Sequence, residues 1–516
     1  MSKAKIFAAN AVIMTAAALL MRAVGLAFNV FVSNRLGGAG MGLFSLIMSV
    51  YGFASTLAVS GVNLASTRLT AEGLGMKDEE YISSSMRKCV IYSFAFGSAA
   101  SFLLAVLSKP IGLYIINDER AVGALYALAL SLPFVSLSSA LGGYFNARRK
   151  VTRNVSGQIF GQLARIMVTA ILLSAAAPDV FKKDPCFSVC LGASVSEGLY
   201  CLYMIILYRL EENKKSRAEN KEITPKLLNI ALPTAFSSYV RSGLLSLEHM
   251  LIPRGLSKSG ASGEAAVASY GVLCGMVMPV VLFPMALLSS FAGLLVPELS
   301  EEKAGGGKKR IDHIITKISE ITMIYSVGCA GITVFLSGPL GDCLYGSTEA
   351  SKYIAAMAPL IPVMYFDHVT DGMLKGLGEQ LYTMRVNIAD SIFSCIMVWL
   401  ILPHSGIVGY IFIIFAAEIL NTAFSVGRLI SIAGIKVNLI KRLFLPMLCI
   451  MASCTCVHFI TVFTHVAEGS SYFDIAVKII MSSALYVTLL AVSKGLTKED
   501  LAWVRKIFAS KSKKGL

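Results

Sequence analysis

An all-α, polytopic membrane protein is the fold class this sequence predicts. About fourteen transmembrane helices are expected, in two parallel-repeat six-helix lobes plus two C-terminal helices. Three observations predict it. Residues of the AVILMFWYC set make up 55% of the 516 residues and charged residues only 15%, whereas about a quarter of a soluble domain is charged. Apolar runs of about twenty residues, enough to cross a hydrocarbon core, recur almost without pause. Finally, the chain repeats itself. With a mean hydropathy of +0.70, this composition excludes a cytosolic enzyme, a nucleic-acid binder and a disordered scaffold.

The apolar runs lie near 6–33, 41–66, 88–108, 121–146, 155–177, 186–208, 227–252, 266–297, 314–338, 352–376, 383–403, 405–431, 440–465 and 472–493. The first is too long for a cleaved leader and contains Arg22. The eighth carries Pro279, Pro284 and Pro297, which predicts a kinked helix. The expected organisation is an N-terminal six-helix lobe (1–208), a cytoplasmic connector (209–226), a C-terminal six-helix lobe (227–431), two additional helices (432–493) and a basic cytoplasmic tail (494–516). That tail contains a short basic amphipathic segment suited to an anionic leaflet.

Charge sets the expected orientation. With the N-terminus inside, the inner segments hold 34 Lys and Arg, the outer segments nine, and three (Arg22, Arg165 and Arg241) fall within spans. An inner excess of this kind places both termini in the cytoplasm, with the chain in the cytoplasmic membrane; the net charge of +15 is its by-product. The eleven cysteines form no CxxC pair and lie mostly inside apolar runs, Cys274, Cys329 and Cys395 among them. They read as small packing residues, with neither a disulfide framework nor a metal site. The short loops leave no room for the extramembrane domain that a membrane-bound polymerase or glycosyltransferase needs. No catalytic centre and no cofactor are expected.

The repeat appears at two offsets. TAAALLMR, ending at Arg22, aligns without gaps with TAFSSYVR, ending at Arg241, so Thr15 matches Thr234, Asn10 matches Asn229 and Arg35 matches Arg254. Further on, LPFVSLSSALGGYFNARR aligns with IPVMYFDHVTDGMLKGLG, pairing Pro133 with Pro362 and Gly143 with Gly372. Ten extra residues around SKSGASGEAA separate the two offsets. Each copy holds six helices, and an even number makes the copies parallel.

An arginine near the centre of a span costs about 2.5–3.5 kcal/mol, so keeping one implies a partner or a wet cavity. Residues seven apart return to nearly the same helix face. Each half therefore opens with a polar stripe, Thr15–Arg22–Asn29 and Thr234–Arg241–Glu248, expected to meet across a central cleft. Guanidinium grips phosphate oxygens with a bidentate fork and keeps its charge when desolvated, so Arg22 and Arg241 are the expected ligands of an anionic head group. The plainer alternative pairs each arginine with a neighbouring helix or lets it snorkel to an interface.

A second group is acidic. Asp367 and Asp371 share a helix face beside His368, with Asp390 in the next helix and Glu248 in the seventh; the first half has Ser138 and Gly142 where the second has Asp367 and Asp371. Carboxylates inside a bundle suit Na⁺ or proton coupling, and an ion pair with Lys375 or Arg385 is the alternative. Arg165 and Glu197 read as a local pair, with Gln158 and Gln162 sharing part of the Arg165 face. Glu418 and His458 read as packing residues.

Several stretches carry a resemblance: LLMRAVGLAFNVFVSNRLG, LPTAFSSYVRS, LLVPELSEE and LYGSTEASKYIAAMAPLIPVMYF. Through them, and over nearly its whole length, the chain resembles the stage V sporulation protein B branch of the polysaccharide and oligosaccharidyl-lipid flippases. Their superfamily (MOP, MATE-like) also contains the multidrug and toxin extruders. The resemblance implies a V-shaped bundle of two lobes that alternates access to a central cavity. It also implies undecaprenyl-diphosphate-linked sugars as substrate, lipid II in well-known relatives. Arg22 and Arg241 match cationic cavity positions of lipid II flippases. Phe28 and Asn29 depart from that pattern, standing where an arginine and an acidic residue are expected, and the second helix has no arginine. Glu248, Asp367 and Asp371 resemble the second-lobe cation site of the drug extruders. The expected function is a flippase for a lipid-linked anionic oligosaccharide in cell-wall, spore-cortex or polysaccharide biosynthesis. The alternative is a cation-coupled multidrug extruder. The expected partners are that substrate and membrane lipids, with no nucleic acid, and the chain is expected to be a monomer.

Overall fold

The computed structural model describes residues 3–174, 178, 183–211, 223–260, 262–304, 308–433, 439–464, 471–493 and 495–496. Among the described residues every regular element is helical. The chain forms two compact units. One comprises Arg35–Arg254 and Ser262–Gly271; the other comprises Met1–Asn34, Gly255–Ala261 and Val272–Leu516. This partition crosses the one expected from the repeat: residues 1–34 group with the later helices, and most of the seventh span groups with the first half.

In the first of these units the organising element is the later part of α1 (Lys3–Val59), a 57-residue helix interrupted at Gly37 (φ 68, ψ −178). That left-handed conformation suits glycine and few other residues. It lets the first span end and the second begin without a loop. Beyond the break, Leu43, Ile47, Val50, Ala54 and Ala58 recur at three- and four-residue spacing. They pack on Ala124, Leu125 and Leu128 and on Cys186 and Cys190. The unit continues through α2 (Val62–Met76), α3 (Glu79–Pro110), α4 (Arg120–Ala129), α5 (Leu132–Ala147), α6 (Val151–Leu172), α7 (Pro185–Glu211), α8 (Ile223–Lys258) and α9 (Gly263–Tyr270). Asp78 starts α3 by accepting the backbone N–H groups of Glu80 and Tyr81. Helices α4 and α5 meet at a 40° bend. Pro133 occupies the first turn of α5, where its missing N–H does no harm, and Ser131 at the bend donates to Leu128 O at 2.7 Å.

The other unit begins by resolving the proline-rich eighth run. After α9 come a π-helical turn (Gly271–Val277), α10 (Met278–Leu282) and α11 (Met285–Ala304), broken at Pro284. The predicted kink is thus real. Tyrosines from elsewhere serve carbonyls at the break: Tyr365 donates to Val281 O at 2.6 Å and Tyr325 to Pro284 O at 2.8 Å. Within a bilayer such freed carbonyls have no water to turn to. Next follow α12 (Lys308–Phe335), α13 (Ser337–Tyr345), α14 (Thr348–Met357), a short 3₁₀ turn (Ala358–Leu360), α15 (Ile361–Gly376) and α16 (Gln380–Ala433). Gly406 (φ 58, ψ −149) interrupts α16 as Gly37 interrupts α1. The last two helices, α17 (Leu439–Thr464) and α18 (Tyr472–Val492), pack on α12 through Val327, Ile450, Cys454, Tyr486 and Leu490. Tyr486 donates to Ile324 O at 2.8 Å. Ser471 and Asp474 cap α18 reciprocally.

Among the described residues nine helices are long and apolar enough to cross a membrane, ten if the bent α4–α5 pair is one span. The difference from fourteen has physical causes. The helices interrupted at Gly37 and Gly406 each carry two runs, the seventh run is diluted by its own polar and charged residues, and the tenth is divided by the 3₁₀ turn between α14 and α15, of 10 and 16 residues. Lys478, counted above with the last outer segment, lies inside α18 and is buried. Residues 212–222 of the connector, and the tail from residue 497, lie outside the described residues.

Candidate functional site

Helix α8 is the clearest place to build from. Its residues Tyr239, Ser242, Gly243 and Ser246 pack on α1 beyond Gly37. Tyr239 donates to Ser60 Oγ at 2.6 Å, Ser246 donates to Ser49 O at 2.7 Å, Thr56 donates to Ser242 Oγ at 3.2 Å, and Gly243 faces Phe53. At 100° per residue, Thr234, Arg241 and Glu248 fall on the opposite side of α8. The stripe expected from the sequence therefore exists, turned away from the helix that α8 packs on. Arg241 is exposed, Thr234 and Glu248 half-buried. Thr234 returns its hydroxyl to Ile230 O at 3.1 Å.

Arg22 belongs to the other compact unit, with α13 and α15. Seven residues on, Asn29 Oδ1 accepts a 3.4 Å hydrogen bond from Tyr345. The guanidinium of Arg22 is exposed, and its charge acts on Tyr365 and His368 of α15. Thr15 lies in the same helix, and its side chain is not among those described. Neither Arg22 nor Arg241 makes a hydrogen bond or an ion pair among the described residues. The contrast with Arg254 is informative. This third arginine of the repeat donates to Tyr114 O and Ile115 O at 2.8 and 3.2 Å. It closes the carbonyl end of a π-helical turn, Ile111–Ile116. Its task is structural, whereas Arg22 and Arg241 keep their donors uncommitted.

The acidic group gathers in the unit that holds α15. Asp367 is 8% exposed. Its Oδ2 accepts from Asn421 at 3.3 Å and Ser425 lies beside the carboxylate, whose Oδ1 makes no hydrogen bond of ordinary geometry among the described residues. Asp371 meets Lys375 at 3.7 Å and Asn387 at 3.5 Å, so for Asp371 the ion-pair alternative is realised. Asp390 lies within electrostatic range of Asp367. Glu248 lies in the other compact unit. Glu418, read from the sequence as a packing residue, sits in the field of Asp367, Asp390 and Asp371. Its place depends on the turn at Gly406 folding the second half of α16 back, which no local pattern signals. No group of three or more His, Cys, Asp or Glu is arranged to hold a metal ion among the described residues. His458 stands edge-on to Phe335, the ring centroids 6.4 Å apart, a packing role as read. Arg165 acts on Glu197 electrostatically, consistent with a local pair.

Taken as a class, this is a polytopic helical carrier with polar stripes on helices that begin each repeat. A structure of the lipid II flippase MurJ in an inward closed conformation superposes with a TM-score of 0.70 at 14% identity, covering 93% of this chain and 98% of that one. An inward-facing multidrug resistance MATE family transporter of the MOP superfamily gives 0.60 at 15% identity, over 80% and 95% of the two chains. These likenesses concern the fold. In sequence, the profile of the polysaccharide biosynthesis proteins matches residues 7–303 and the MatE profile residues 256–400. The chain belongs to the polysaccharide biosynthesis protein family. Stage V sporulation protein B of Bacillus subtilis (strain 168) is 22% identical over 513 residues, 96% of this chain and 97% of that protein. Lipid II flippase MurJ of the same organism is 19% identical over 400 residues, 72% and 73% of the respective chains. The chain is a multi-pass membrane transport protein, not an enzyme.

Proposed function

We propose that the protein flips a lipid-linked anionic oligosaccharide, of the undecaprenyl-diphosphate class, outward across the cytoplasmic membrane by alternating access, with both termini in the cytoplasm. Lipid II belongs to this class and is the named substrate of the MurJ relatives. One observation carries the reading: Arg22 and Arg241 occupy matched positions of the repeat, and both guanidinium groups are exposed and uncommitted among the described residues. A desolvated diphosphate needs such groups, and a neutral or cationic drug does not. Asn29, Thr234, Glu248 and Thr15 complete the two stripes as candidate head-group contacts. The test is transfer of a labelled lipid-linked oligosaccharide in vesicles reconstituted with the full chain. Arg22→Ala and Arg241→Ala should each lower the rate by about tenfold or more, the scale of one lost charge-assisted contact, at unchanged abundance. Wild-type rates in both variants would end the proposal.

A cation-coupled extruder is the second reading, favoured by the MatE match over residues 256–400 and by the acidic group in the same unit as α15. Asp367, Asp371 and Asp390 then serve as the coupling carboxylates for Na⁺ or H⁺, with Glu418 added. The two readings separate in one assay: an extruder moves lipophilic cations without any lipid-linked sugar.

A further inference from the structure

Helices α2, α5 and α6, all within one compact unit, bring amide side chains together at a point that neither reading uses. Asn146, near the end of α5, accepts a 2.9 Å hydrogen bond at Oδ1 from Asn154 Nδ2 of α6. Asn63 of α2 donates to Ser139 O of α5, also at 2.9 Å. Gly142 lies beside these amides: a Cβ there would stand 3.5 Å from Asn154 Oδ1 and 3.7 Å from Asn63 Nδ2. Asn63 and Asn146 are exposed and Asn154 is half-buried, so the three amides border an open place that the glycine leaves unfilled. Each keeps bonding capacity in reserve: Asn63 Oδ1, Asn146 Nδ2 and Asn154 Oδ1 make no hydrogen bond among the described residues. Gln158 and Gln162 follow Asn154 at four-residue spacing and share its face of α6. Gln158 is exposed and Gln162 half-buried, and neither makes a hydrogen bond among the described residues.

The repeat shows what the same place holds in the other half. The starts of α5 and α15, and of α6 and α16, both lie 229 residues apart. At that offset Gly142 becomes Asp371, Asn146 becomes Lys375 and Gln158 becomes Asn387. There the Asp371 carboxylate occupies the centre and engages both neighbours, Lys375 at 3.7 Å and Asn387 at 3.5 Å. In the first half the centre has no side chain and its neighbours are neutral amides. Amides turned to lipid leave their hydrogen bonds unmade, which is costly; a group of them with free donors and acceptors calls for water or a polar ligand.

We propose that this amide cluster is a sugar subsite, in which Asn63, Asn154 and Gln158 hydrogen-bond hydroxyls on uncharged rings of the head group. This deepens the flippase reading and rests on it. A primary amide offers donors and acceptors from one planar group, and a hydroxyl likewise gives and takes. The class recognised is therefore neutral and hydroxyl-rich. A metal cation would call for the carboxylate that only the second half carries at this place.

The experiment compares two probes on the purified full chain: undecaprenyl diphosphate carrying diacetylchitobiose, a neutral disaccharide, and bare undecaprenyl diphosphate. Wild type should bind the sugar-bearing lipid about tenfold more tightly, the scale of a few neutral hydrogen bonds. Gln158→Leu and Asn154→Leu should each weaken that lipid by about three- to tenfold and leave the bare lipid unchanged. Gly142→Ala is the variant least able to disturb folding, because its methyl group makes only ordinary contacts. It too should weaken the sugar-bearing lipid alone. Equal weakening of both lipids, or no weakening by any variant, would overturn the sugar subsite and leave the flippase reading standing. Equal affinity of the wild type for the two lipids would do the same. Should the wild type bind neither probe, both fall.

Discussion

At the scale of single residues, the sharpest feature is the uneven treatment of Asp367. One carboxylate oxygen is held by Asn421 and, among the described residues, the other makes no hydrogen bond of ordinary geometry, in a side chain that is nearly fully buried. A buried anion left half-satisfied is costly unless it takes up a cation or a proton. Asp367→Asn keeps the shape and removes the charge, so the variant should fold and reach the membrane normally. In vesicles it should transport at a rate that no longer responds to an imposed Na⁺ or proton gradient. A gradient response equal to wild type would remove Asp367 from any coupling role. Asp367 and Asp371 were legible in the sequence because a shared helix face follows from spacing alone. Glu418 was not, since it reaches them only through a tertiary turn. Arg22 and Arg241 were legible through the repeat, while the environment that leaves them uncommitted was visible only in three dimensions.

At the scale of elements, the repeat explains details that composition could not. Pro133 and Pro362, paired by alignment, both occupy the first turn of a helix that follows a break, α5 after α4 and α15 after the 3₁₀ turn. Gly143 and Gly372, also paired, both sit at close helix approaches, too close for a side chain at Gly143 and tight for one at Gly372. A Cβ on Gly143 would lie 1.9 Å from Ser66 Oγ and 2.5 Å from Asn63 O, and one on Gly372 would lie 3.0 Å from Ala292 Cβ. Small residues at such crossings let helices approach in the absence of a hydrophobic drive. The breaks at Gly37 and Gly406 were not legible, because a glycine amid apolar residues reads as packing. They give the second prediction. Gly406→Ala forces a Cβ into a left-handed backbone, at about 1–2 kcal/mol, and should lower the melting temperature in detergent by several degrees. Gly427, inside the same helix with open space around it, is the control: Gly427→Ala should be neutral or slightly stabilising. Equal melting of the two variants would mean that the break at Gly406 is not held by its backbone conformation. A third prediction concerns Gly143→Ala, where the obstacle includes backbone. Overpacking of this kind costs about 1–3 kcal/mol, and the same measurement should register it.

At the scale of the whole molecule, symmetry extends to how each unit ties its ends. Lys150 and Arg153 hold Glu211 at the end of α7, the lysine at 2.6 Å, and Glu379 holds Arg428 near the end of α16 at 2.9 Å. Lys150 and Glu379 are equivalent under the second repeat offset, and each ties its helix end to a partner of opposite charge, although those partners, Glu211 and Arg428, are not themselves equivalent. The sign of the Lys and Arg bias along the whole chain matters far more. It predicts cytoplasmic termini; on the flippase proposal, an inside-negative potential gives the transport of an anionic head group a direction. Each charge carried fully outward is favoured by about 2.3 kcal/mol per 100 mV, so no chemical fuel is needed to bias the cycle. In vesicles carrying the protein in the cellular orientation, an inside-negative potassium diffusion potential should speed outward transfer of the labelled lipid, and an inside-positive one should slow it. Asp367→Asn should keep this response while losing any response to a cation gradient, because the potential acts on the substrate's own charge. If transfer by the wild type is insensitive to the sign of the potential, the head group crosses with its charge compensated. The carboxylates of α15 and α16 could not supply that compensation by themselves; a co-transported cation held there would then carry the opposing charge, and Asp367→Asn should make transfer potential-dependent.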